Sequence, residues 1–140
     1  MCDYCDCRRI PEIAALGEEH ARIEDLADLV MKAVKDRDPD AATLFTSLVG
    51  LLTTHVAREE DGLFVEARTS GLGAEYVEDL GDDHRRFAAL MKDPSTLDAD
   101  AVEALFDELH RHIAVEEYDL FPAAAQLLSS DQWARISTDS

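Results

Sequence analysis

The stretch HVAREEDGLF at residues 55–64 returns as HIAVEEYDLF at residues 112–121, with a histidine, two glutamates and a Leu-Phe pair kept at one spacing. A second pair of segments repeats in register with it. GEEHARI at 17–23 matches GDDHRRF at 81–87, sharing a glycine, two acids, a histidine, an arginine and an apolar residue. Each half of the chain therefore supplies one lone histidine and then one His-x-x-x-Glu. A fold that serves both halves must give them equivalent surroundings, which points to two like units related by a pseudo-two-fold axis.

The period inside those units is helical. Ile13, Leu16, His20, Ile23, Leu26, Val30 and Val34 step by threes and fours, as do Leu44, Leu48, Leu51, His55, Glu59 and Leu63. Val77, Leu80, His84, Phe87 and Met91 form a third stripe, and Val102, Leu105, Leu109, His112, Glu116, Leu120 and Leu127 a fourth. Steps of this kind line one face of an α-helix. Breakers separate the stripes: DRDPD at 36–40, TSGLG at 69–73 and DPSTLDAD at 93–100. Ser130 reads as the N-cap of a short final turn around Trp133. No segment alternates with period two, so the fold class is all-α. Short connections between long amphipathic helices make antiparallel neighbours. The expected fold is an up-down-up-down four-helix bundle over residues 11–140, preceded by a short Cys-containing loop at 1–10.

On a helix, residues four apart differ by only about 40° in azimuth, so His55 with Glu59 and His112 with Glu116 point the same way. Glu60 and Glu117 lie about 100° further round and leave the stripe. The run EEDGLFVE then reads as mostly a solvated face, with Leu63-Phe64 and Leu120-Phe121 as apolar lining. Four histidines and two carboxylates face the interior. Without partners, such groups would cost several kcal/mol per charge in a domain whose net stability is about 5–15 kcal/mol. A lone histidine on an apolar face is ordinarily a satisfied core residue, but four in a two-fold pattern with two glutamates are a ligand set. Two cations resolve the conflict: His20 and His55 on one, His84 and His112 on the other, Glu59 and Glu116 bridging both. Imidazole with carboxylate suits iron, manganese or zinc, and the absence of thiolate argues against a structural zinc site.

Other candidates stay outside this set. His110, two residues before His112, falls on the opposite face as a surface histidine, and Tyr76 leans toward the His84 stripe as a core residue. Cys2, Cys5 and Cys7 form C-x-x-C-x-C with no evident fourth ligand, and read as a reduced tail. The net charge of −18, with 31 acidic residues against 13 basic ones, excludes a phosphate-backbone partner such as nucleic acid. No run approaches the roughly 18 apolar residues of a membrane span, and no basic-then-apolar leader opens the chain, so a cytoplasmic location is expected.

The pattern His20, His55-x-x-x-Glu59, His84, His112-x-x-x-Glu116 resembles the hemerythrin-like, or HHE cation-binding, domain over about residues 10–128. The resemblance implies an antiparallel four-helix bundle around two iron ions, Fe2+ or Fe3+, bridged by two carboxylates and an oxo or hydroxo group. In the family's oxygen carriers a fifth histidine follows the third-helix ligand by four residues; here that position is Ala88. The missing ligand would open a second coordination position, which points away from reversible O2 carriage. The four-His, two-Glu set is also similar to that of di-iron proteins linked to nitric oxide stress and iron-centre repair. The expected function is redox chemistry on a small diatomic or peroxide, nitric oxide or hydrogen peroxide, with an external electron donor. The alternative is an O2-, iron- or redox-sensing protein without turnover.

Overall fold

The computed structural model describes residues 9–92 and 98–139. Cys2, Cys5 and Cys7, and the part of the third connection at 93–97, lie outside the described residues. Among the described residues every regular element is helical and no strand is present. Helix α1 spans Pro11–Lys35, with a proline in its first turn where no N–H is needed. Helix α2, Ala41–Arg58, runs without a break into a π-helical turn at Glu59–Leu63, here π1, and then into α3, Phe64–Ala67. Helix α4 spans Ala74–Leu90. The second half repeats the arrangement: α5, Ala99–Val115, continues through π2, Glu116–Leu120, into α6, Phe121–Leu127. A final helix α7 spans Ser130–Asp139.

The breaks follow local chemistry. The turn between α1 and α2 carries Arg37 at a φ of 54°, and the Asp38 carboxylate accepts from the Asp40 N–H. Gly73, with a φ of 83°, enters α4 in a conformation that a side chain would strain. Asp98 caps α5 by accepting from the Ala101 N–H at 2.8 Å. The cap of α7 is Ser129 rather than Ser130. Its hydroxyl accepts from the Gln132 N–H while the Gln132 side chain accepts from the Ser129 N–H, a reciprocal capping box that spacing alone placed one residue late.

The helices form a bundle in which α1 packs against α2 and α5, α4 against α5 and α3, and α7 against π1 and α1. Two apolar clusters fill it. One gathers Leu16, Phe64, Leu80 and Phe121 with residues of α7, and the other gathers Ile23, Leu52, Phe87 and Leu109. Helices α1 and α4 each cross from one cluster to the other through a histidine, His20 between Leu16 and Ile23 and His84 between Leu80 and Phe87, and the rods through π1 and π2 do so through His55 and His112. A polar layer is thus sealed between two dry ones. The phase of the second stripe is shifted from expectation, with Phe45 and Leu52 buried in place of Leu44 and Leu51, and Leu127 is 48 % exposed. No helix among the described residues is long and apolar enough to cross a membrane.

Candidate metal centre

His20 on α1, His55 on α2, His84 on α4 and His112 on α5 meet in the sealed layer with Glu59 and Glu116, the first residues of the two π-helical turns. All six are buried, and both glutamates have 0 % exposure. They form two four-residue groups, His20-His55-Glu59-Glu116 and His84-His112-Glu59-Glu116, each with donor atoms within 4.8 Å of one another. The glutamates belong to both groups. Each of these four histidines turns Nε2 inward: His20 Nε2 lies 3.0 Å from Glu116 and 3.8 Å from Glu59, and His84 Nε2 lies 3.2 Å from Glu59 and 3.8 Å from Glu116. His55 and His112 face the glutamate of their own helix at 3.4 and 3.3 Å.

A cation fits this donor set. His55 Nε2, both oxygens of Glu59 and Oε2 of Glu116 are buried without a hydrogen-bond partner, and all four belong to the cage. Such orphaned groups each cost about 1–3 kcal/mol, more when charged. The two inward nitrogens of His84 and His112 are 3.0 Å apart, the separation of neighbouring donors held at about 2.1 Å by one ion. The field has the matching sign. Burial alone would lower the pKa of His20, but its contacts with Glu116 and Glu117 and the charge on Glu59 raise it to about 10. His112 rises to about 9 against the same burial, through Glu116 and Asp83. Burial pushes Glu116 up, yet His112 and His20 hold it well below the usual carboxylate range. The layer therefore favours positive charge at its centre.

Outside the six lies a ring of four acids, of which helical phase turns two, Glu60 and Glu117, away from the stripe. Glu117 is buried and accepts from His20 Nδ1 at 3.0 Å, so it does not leave the stripe. Glu60 comes to 3.6 Å from His84 Nδ1. Both lie in the π-helical turns, where an extra residue in the turn departs from the 3.6-residue period; Glu117 is turned inward, while Glu60 keeps a side chain 34 % exposed. Glu19 accepts from His55 Nδ1 at 2.7 Å and is itself held by Arg58. Asp83 accepts from His112 Nδ1 at 2.9 Å. The repeat carried the signal for all four, since GEEH and GDDH keep an acid before the histidine and both pi turns begin Glu-Glu. The Leu-Phe pairs also have a role in the layer: Phe121 stacks on His20 and Phe64 on His84.

His110 stands apart, its side chain 63 % exposed and paired with Glu24 at 2.9 Å. Tyr76 packs partly buried against the first apolar cluster, with its hydroxyl enclosed and its pKa raised by burial and by the charges of Asp119 and Glu116. Ala88 is exposed, so it does not overlook the cage as the four-residue spacing from His84 suggested. Phe87 does, packing edge-on against His112 at 5.4 Å. A cavity of about 10 Å³, room for about one water, is lined by the four histidines, Glu116 and five apolar side chains, Phe87 among them.

A search of curated proteins found no match, and a search of solved structures found none either. The family model of the hemerythrin HHE cation binding domain matches residues 12–124. That span contains all six inward-facing ligand candidates and both copies of the repeat, and the chain belongs to the hemerythrin HHE cation-binding family.

Proposed function

We propose that the chain is a non-haem di-iron protein that consumes a small oxidant, nitric oxide or hydrogen peroxide, in defence against oxidative or nitrosative stress. The observation that carries this reading is the sharing of Glu59 and Glu116 between two four-donor groups that enclose a small internal cavity. Imidazole and carboxylate donors without thiolate suit iron. When bound, a pair of iron ions supplies a ferrous–ferric redox couple and an open coordination position.

The chain's own residues do the remaining work. His20 and His55 would hold one ion, His84 and His112 the other, and Glu59 and Glu116 both. Phe64 and Phe121 fix two of the imidazole planes, and the apolar clusters on either side keep bulk water and larger substrates out. The same reading takes residues 11–140 as an antiparallel up-down-up-down four-helix bundle with 1–10 as a loop, a cytoplasmic location, and an external electron donor.

Iron-loaded protein in catalytic amounts tests it. Mixed with a reductant and either nitric oxide or hydrogen peroxide, it should consume many equivalents of oxidant. A stable stoichiometric adduct without turnover would assign the chain to sensing instead.

A further inference from the structure

The four imidazoles are not equally supported. A neutral histidine that donates from Nδ1 to a carboxylate keeps the Nε2 lone pair for a ligand, and its ring is held in place. His20 donates to Glu117 at 3.0 Å, and His55 to Glu19 at 2.7 Å, with Arg58 fixing Glu19 from behind. Both imidazoles of that half of the cage are locked. In the other half His112 donates to Asp83 at 2.9 Å, and Arg86 lies 3.3 Å from the other oxygen of Asp83. His84 differs: its Nδ1 is buried without a hydrogen-bond partner, and Glu60 stops at 3.6 Å.

We propose that these outer carboxylates make the two cation positions unequal: the His20–His55 position fills first and holds its ion longer, and the His84–His112 position fills second and empties first. Glu117 and Glu19 are positioning residues that act through the histidines they hold. Losing one such partner from a ligand typically costs about 10–100-fold in metal affinity, so a single unlocked histidine is enough to separate two otherwise matched sites. The proposal rests on the two-ion reading above and goes beyond it in assigning an order.

An anaerobic titration of the full metal-free chain with Co2+, read by the visible absorption of bound cobalt, tests it. The expected result is two equivalents bound in two resolved steps. Glu117→Ala should weaken the first step by about 10–100-fold and shift its absorption bands. Glu117→Gln, which restores an acceptor for His20, should recover part of that loss, and Glu60→Ala should leave both steps where they were. Uptake of two equivalents in one unresolved step, or a Glu60→Ala variant as weakened as Glu117→Ala, overturns the inequality and leaves the two-ion reading standing. Fewer than two equivalents bound by the unaltered chain overturns the two-ion reading itself, and the order with it.

Discussion

Phe121 lies flat on His20, the ring centroids 5.7 Å apart and the planes 5° from parallel, and Phe64 lies on His84 in the same way at 5.4 Å and 7°. Each phenylalanine comes from the rod that also supplies a shared glutamate. One turn of sequence therefore delivers a carboxylate to the cage and a flat apolar wall to a histidine on another helix. Phe121→Ala should cost about 3–5 kcal/mol in urea denaturation, because the ring is fully buried. Phe121→Leu should fold with a smaller loss, yet give up its metal to a chelator faster than the parent, since a branched side chain cannot hold the His20 plane.

His110 and His112 are neighbours in sequence and opposites in environment. His110→Ala removes only an exposed pair with Glu24, and pairs of that kind contribute about 0–1 kcal/mol. It should keep the parent's metal content, whereas His112→Ala should lose at least one ion per chain. Elemental analysis of the two variants checks this, and equal contents would contradict the assignment.

Stability should fall as the pH rises without metal, and should not fall in that way with it. Unloaded, His20 and His112 bind protons more tightly folded than unfolded, with values of about 10 and about 9 against 6.5. The stability those protons add is fully present below pH 6.5 and drains away as the pH rises through about 9 and then about 10. A loaded cage has no such protons to lose. Calorimetry should therefore show a chelator-treated sample melting below the loaded one, with the gap widening from neutral pH to about pH 9. Equal melting temperatures throughout would contradict the need for a cation.

Ala88→His should be nearly silent. Position 88 is exposed, so the new imidazole projects away from the cage, and surface substitutions usually stay within about 0.5 kcal/mol. Cobalt-loaded variant and parent should have the same visible spectrum. Phe87→Ala, by contrast, removes a wall of the cavity and should change that spectrum and lower the melting temperature.

Much of this was legible from the repeat alone. His20, His55, His84 and His112 could be picked out because helices bury one stripe and an unpartnered imidazole in that stripe needs a reason. The repeat also keeps the outer acids, but their direction is not legible there: an acid before a histidine is ordinary on a helix surface, which hides Glu19 and Asp83, and an ideal 3.6-residue period turns Glu60 and Glu117 toward solvent. The π-helical turns at Glu59–Leu63 and Glu116–Leu120 break that period at the very residues in question. Ala88 faces outward for a related reason. A spacing of four gives only an approximate azimuth, and packing of Phe87 against His112 decided which of two adjacent side chains faces inward. Register at a helix turn is set by contacts across the bundle, which a single stripe does not record.

The claim at the centre of this account is that Glu59 and Glu116 are shared by two metal ions. Anomalous diffraction at the iron edge from crystals of iron-loaded protein tests it most directly. The account predicts two peaks between those glutamates, one beside His20 and His55 and the other beside His84 and His112. A single peak, or none within reach of both glutamates, would contradict it.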